Sequence, residues 1–115
     1  MAIENRFLEK TLKTKSAAYT FVKGDANTIY LHPSADTTAR TWTIPANASV
    51  PFKIGTEIDI VNEASAGVIT IGITTDTLQL LTAGTTNTVA IAANGYAKIR
   101  KITATKWVIF GGGLT

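Results

Sequence analysis

Apolar and polar residues alternate through most of the chain. Tyr19 and Phe21 alternate with Thr20 and Val22, Ile29 and Leu31 with Tyr30 and His32, and Trp42 and Ile44 with Thr41 and Thr43. Ile58 and Ile60 oppose Glu57 and Asp59, and Ile69, Ile71 and Ile73 oppose Thr70 and Gly72. Leu78 and Leu80 flank Gln79, and Val89 and Ile91 flank Ala90. Ala97 and Ile99 oppose Lys98 and Arg100, and Trp107 and Ile109 oppose Val108 and Phe110. A period of two places each set on one face of a strand. The pattern predicts eight or nine short strands.

Turn signals fall between these runs at intervals of roughly 8–12 residues, the spacing of a sandwich or barrel. Gly24 to Asn27 separates two strands, Pro33 to Thr38 forms a loop, and Pro45 to Pro51 a longer connection, since proline cannot donate to a ladder. Asn62 to Gly67 reads as a hairpin loop. Asn94-Gly95 is the strongest hairpin signal, because both residues accept positive φ. The reading is an all-β chain: an antiparallel β-sandwich, jelly-roll-like, over residues 19–115. A small open barrel is the other architecture this spacing admits.

Residues 1–18 differ. Ile3, Phe7, Leu8 and Leu12 stand among Glu4, Arg6, Glu9, Lys10 and Lys13. Ile3–Phe7 and Leu8–Leu12 are both i,i+4 pairs, so this segment reads as an extended or briefly helical N-terminal arm. A helix this short is marginal alone in water, so the arm orders either against a partner or not at all. Gly111-Gly112-Gly113 closes the last strand.

Composition sharpens the picture. Thr, Ile and Val number 20, 13 and 6, so 39 of 115 residues are β-branched and suit a pleated sheet better than a helix. The length fits one domain with one core. No cysteine is present, which excludes disulfides and thiolate metal sites. No apolar run approaches the roughly 20 residues of a membrane-spanning helix, and residues 1–15 carry no secretory-signal pattern.

The net charge of +3 is unevenly placed. Residues 1–23 hold five cations (Arg6, Lys10, Lys13, Lys15, Lys23) against Glu4 and Glu9, and the remainder holds six of each sign. The whole excess lies in the first segment. That argues for a basic arm on a neutral body rather than a nucleic-acid-binding surface.

Candidate chemistry is sparse. His32, Ser34 and Asp36 are the letters of a hydrolase triad, but triads converge from separated segments and no nucleophile-elbow glycines surround Ser34. The expectation is a turn capped by Ser34 and Asp36. One histidine and scattered carboxylates match no metal-ligand spacing. Glu57 and Asp59 share a strand face and read as outer-face charges rather than a glycosidase pair. Lys98, Arg100, Lys101 and Lys106, near Tyr96 and Trp107, could form a single-strand nucleic-acid surface, but Trp107 follows the core alternation. Asn47-Ala48-Ser49 is a sequon of the kind chance supplies. No catalytic residue, cofactor or metal site is expected. The remaining classes are an assembly protein that uses its arm and sheet edges, and a receptor- or carbohydrate-binding module that uses its loops. Aromatics that follow strand alternation favour the first.

The stretch from Leu31-His32-Pro33 through Trp42-Thr43-Ile44-Pro45-Ala46-Asn47, continuing into Ile54-Gly55-Thr56 and Val61-Asn62, resembles a small β module of tailed-bacteriophage structural proteins. Gly67-Val68-Ile69-Thr70-Ile71, Ala92-Ala93-Asn94-Gly95 and Trp107-Val108-Ile109 extend the resemblance over about Ala17 to Thr115. Such modules occur alone as capsid decoration (cement) proteins and fused within tail-fibre or tailspike chains. The resemblance implies a non-catalytic virion protein. A short chain beginning at Met1 without a repetitive shaft is the expectation for a decoration protein on the outer capsid surface. The alternative is a tail-fibre or tailspike-associated module that binds a host receptor or glycan.

On that expectation the partners are the major capsid protein and further copies of the chain, as a dimer or trimer, with neither nucleic acid nor membrane. Phe7, Leu8 and Leu12 would lie on apolar patches of the shell, while Lys10, Lys13 and Lys15 would meet its acidic groups. Buried side chains would supply affinity and charges would set register.

Overall fold

A computed structural model describes residues 10–115 of the chain. The described residues form nine strands and one 3-10 turn, Lys23–Asp25. The strands are β1 (Thr11–Thr14), β2 (Tyr19–Thr20), β3 (Thr28–His32), β4 (Arg40–Ile44), β5 (Glu57–Asn62), β6 (Ile69–Ile73), β7 (Thr77–Leu80), β8 (Val89–Thr103) and β9 (Lys106–Leu114). The all-β expectation holds.

The strands make one curled, mixed sheet in the order β1-β3-β5-β8-β6-β4-β2, with β9 paired to β8 and β7 paired to β9. The pairing corrects the antiparallel expectation. β1–β3, β3–β5, β2–β4, β4–β6 and β7–β9 are parallel, and only the three pairings made by β8 are antiparallel. The cause is the path of the chain. Odd strands β1, β3 and β5 build one arm of the sheet and even strands β2, β4 and β6 build the other. Each connection crosses between arms, so each return to an arm runs parallel to the strand before it.

The two arms curl around one core. Tyr30, Ile58 and Ile60 from the odd arm and Trp42, Ile44, Ile69 and Ile71 from the even arm belong to a single buried cluster. The Tyr30 and Trp42 rings meet across it, 5.9 Å between centroids. Ile44, Ile58, Ile60, Ile69 and Ile71 thus sit inside as their alternation placed them, each fully buried Ile contributing about 1.5–3 kcal/mol, whereas β3 buries Tyr30 and His32 and turns Ile29 and Leu31 outward.

β8 joins the arms. Its first part, Val89 to Ile91, pairs with β6, and Tyr96 to Arg100 pairs with β5. The change of partner occurs at Asn94-Gly95, where Asn94 has φ 65° and the β8–β9 register shifts. The expected hairpin at this dipeptide is therefore corrected to a bulge inside one continuous strand. Positive φ serves a bulge as well as a tight turn. Gly95 is required there, since a Cβ would lie 2.6 Å from the Ala92 carbonyl oxygen.

The Asn62 to Gly67 hairpin is corrected too: this loop passes from β5 in one arm to β6 in the other, and the two strands do not pair. The chain crosses itself closely here, and a Cβ on Gly67 would lie 2.3 Å from the Thr38 backbone. Of the expected 1–18 arm, Thr11–Thr14 is an edge strand of the sheet, and Ile3, Phe7 and Leu8 lie outside the described residues.

Candidate interaction face

The odd arm and the β8–β9 hairpin present a continuous outer face. In β5, Ile58, Ile60 and Asn62 are buried while Glu57, Asp59 and Val61 face outward. Ile29 and Leu31 of β3, and Tyr96, Lys98 and Arg100 of β8, are the corresponding less buried positions. The strand registers align these residues in rows. One row runs Leu12, Ile29, Asp59, Lys98, Phe110, and the next Thr14, Leu31, Val61, Tyr96, Gly112.

Between the rows lies a shallow groove of about 300 Å³, lined chiefly by Ile29, Val61, Tyr96 and Phe110. Tyr96 is 60% exposed and Leu12 61%. The same face continues to β1, an edge strand whose four residues are all exposed.

Charges border the groove. Lys10 Nζ lies 2.8 Å from Asp59 Oδ2 and 3.6 Å from Glu57 Oε1. Lys98 Nζ lies 3.2 Å from Glu57 Oε1, and Arg100 Nη2 2.7 Å from Glu57 Oε2. Arg100 also lies over the Phe110 ring, 5.5 Å from its centroid. Burial pushes the Glu57 carboxyl up, but the Lys98 and Arg100 partners outweigh it and hold Glu57 below the ordinary carboxylate range. Burial likewise pushes the Lys10 amine down, and Asp59 and Glu57 reverse it, leaving Lys10 above the ordinary lysine value. Lys98 and Arg100 are thus engaged with carboxylates of the same face. Three cations against two carboxylates leave this cluster with one excess positive charge.

The residues singled out in the arm divide. Phe7 and Leu8 lie outside the described residues. Lys10 is committed to Asp59 and Glu57 of its own chain. Lys15 lies over the Tyr19 ring, 4.2 Å from its centroid, and its backbone N–H donates to Leu31 O. Leu12 and Lys13 are exposed on the edge strand. The groove was missed by sequence reasoning. Its signal was the outward set Ile29, Leu31, Val61, Tyr96 and Phe110, apolar residues standing where polar ones belong on a solvated sheet face.

Two of the triad letters, His32 and Asp36, belong to a structural tie. Asn62 Nδ2 donates to the carbonyls of Gly67 and Ile91, so its Oδ1 is turned to His32 Nδ1 at 2.8 Å. His32 Nε2 lies 2.7 Å from Asp36 Oδ2, and Arg40 donates to both Asp36 oxygens. Arg40 first, then His32, hold the Asp36 carboxyl far below the usual range. Ser34 takes no part in this tie; its backbone N–H donates to Glu63 Oε1. A buried carboxyl, Asp25, accepts from Tyr19 Oη at 2.7 Å, Tyr30 Oη at 2.6 Å and the Val22 N–H at 2.8 Å. Burial, reinforced by Asp25, pushes the Tyr30 hydroxyl far above its ordinary value.

No family model, curated protein or solved structure matches the chain. Among the described residues, no group of three or more His, Cys, Asp or Glu is placed to hold a metal ion. No described helix is long and apolar enough to cross a membrane.

Proposed function

We propose that the chain is a capsid decoration (cement) protein of a tailed bacteriophage, without catalytic activity, which seats its outer face on the assembled lattice of the major capsid protein. The observation that carries this reading is the apolar groove of Ile29, Val61, Tyr96 and Phe110 on the face that continues to the exposed edge strand β1, with a border of fixed charges. An apolar centre, an exposed aromatic and a charged rim are the components of a protein–protein interface. Lys10 is seated on the same face and Leu12 and Lys13 stand on its edge strand; in this reading Phe7 and Leu8, which precede Lys10 in the chain, extend the contact.

In this reading the two arms of the sheet act as the facing layers of a jelly-roll-like sandwich, and copies associate as a dimer or trimer. Each contact is modest, and repetition through the oligomer raises the total by avidity. A ligand that binds only the assembled lattice stabilises that lattice by mass action. The test is to mix the purified protein with undecorated phage shells and with host-surface glycans, and to follow both by co-sedimentation. Binding to shells, with a raised disassembly temperature, supports the reading. Binding to glycans alone would replace it with a tail-associated receptor module.

A further inference from the structure

Lys101 sits in an unusual place. It ends the β5-paired part of β8, its side chain turns into the core, and the residue is 1% exposed. The Nζ donates to Asn47 Oδ1 at 2.6 Å and to the Phe52 carbonyl at 2.8 Å. Trp107 covers it, with Nζ 5.9 Å from the ring centroid, and Phe52 packs edge-on against Trp107 at 5.4 Å. Among the described residues no ion pair joins this amine to a carboxylate. A buried lysine ordinarily has such a partner. Here its nearest polar partner is instead a carboxamide.

An acid stands on the other side of that carboxamide residue. Asp76 Oδ2 accepts the backbone N–H of Asn47 at 2.8 Å. Asp76 immediately precedes β7 and also borders a polar surface pocket with Thr74, Thr77, Thr86 and Asn87. The Lys101 amine and the Asn47 carboxamide therefore meet in one aromatic-walled corner, and Asp76 anchors the Asn47 backbone beside it.

We propose that Lys101 and Asn47 join covalently, as an isopeptide bond formed within the folded chain. The unprotonated Lys101 Nζ attacks Asn47 Cγ, and a new N–C bond forms. The Cγ–Nδ2 bond breaks, one proton passes from Nζ to the departing Nδ2, and ammonia leaves. Atoms and charge balance without oxidant, metal or cofactor. Folding supplies the proximity that makes an otherwise slow amide exchange intramolecular. The covering rings of Trp107 and Phe52 keep water from competing for the carbonyl. The bond would tie the Pro45–Pro51 connection to β8 across 54 residues of chain, a constraint suited to a shell protein.

The test is the intact mass of the purified full-length chain, followed by peptide mapping. The expected mass is that of the sequence less one ammonia, with a branched peptide joining the Asn47 and Lys101 segments. Asn47→Ala should show its full sequence mass. Asn47→Asp should lose one water instead of one ammonia and give the same branched peptide. Asp76→Ala, which frees the Asn47 backbone N–H, should accumulate unlinked chain, and a fully linked Asp76→Ala protein would overturn the positioning role given to that residue. A wild-type chain of full sequence mass overturns the bond itself. So does an ammonia loss that maps to an unbranched Asn94-Gly95 peptide, where a succinimide would form.

Discussion

Asp25 gives the sharpest quantitative prediction. It accepts three hydrogen bonds at the junction of β2, the 3-10 turn and β3, from Tyr19, Tyr30 and the Val22 N–H. Asp25→Ala removes all three acceptors at once. Tyr30 is 2% exposed, so its hydroxyl cannot turn to solvent. It can turn only toward Tyr19 Oη, 3.2 Å away. One tyrosine hydroxyl is then left without an acceptor, at about 1–3 kcal/mol, the N–H of the exposed Val22 turns to water, and the lost carboxyl leaves a small void. The expected loss is about 2–4 kcal/mol, a large part of the roughly 5–15 kcal/mol that holds a domain of this size. Asp25→Asn should cost far less. Its carbonyl can take the Oδ2 position and its NH₂ can donate to Tyr30, whose hydroxyl then donates to Tyr19.

Urea unfolding followed by tryptophan fluorescence measures these values. A double-mutant cycle with Tyr30→Phe isolates the Asp25–Tyr30 pair, and the double variant should be less destabilised than the sum of the singles. A loss below about 1 kcal/mol for Asp25→Ala, or strict additivity with Tyr30→Phe, would refute the argument that buried donors here have no other acceptor.

Three further outcomes are expected. Ile71→Ala, at a fully buried position on β6 between the arms, should lower unfolding free energy by about 2–5 kcal/mol, read by the same urea titration. Gly67→Ala should be destabilising despite its small volume, because the new Cβ meets the Thr38 backbone at 2.3 Å, and a variant with unchanged melting temperature would contradict the close crossing. For Asp36 the folded-state carboxyl lies below its unfolded value, so its stabilisation is present above the unfolded pKa of about 4 and fades as pH falls through the lower folded value. Arg40→Gln removes the largest cause of that depression. It should therefore lower stability at pH 7 and flatten the acid limb below pH 4, as measured by thermal melts across pH.

Strand positions were readable because burial imposes a period of two on the side chains, and Ile58, Ile60, Ile69, Ile71 and Ile99 all point inward as the alternation requires. Strand partners were not readable. Alternation reports which face is buried, not whether the neighbour runs parallel, and the neighbour of β3 is β5, 30 residues on. Asn94-Gly95 misled for a related reason: positive φ is a local property, while hairpin or bulge is decided by which strands flank it. The Lys101 corner was also beyond reach, since Asn47, Asp76 and Lys101 are brought together only by the crossing of the arms. The outward apolar row was present in the sequence, but a single apolar residue facing out is ordinary. Only the register of β3, β5, β8 and β9 turns Ile29, Val61, Tyr96 and Phe110 into one patch.

The most direct test of the account images undecorated phage shells after mixing with the wild-type chain or with a Val61→Glu/Tyr96→Glu variant. Both substitutions lie on the outer face, away from the buried cluster, and circular dichroism and melting should confirm an intact fold. Regular added density on the outer shell is expected for the wild type, with β5 and β8 turned toward the lattice, and bare shells for the variant. Shells that stay bare with the wild type, or that the variant decorates equally well, would contradict it.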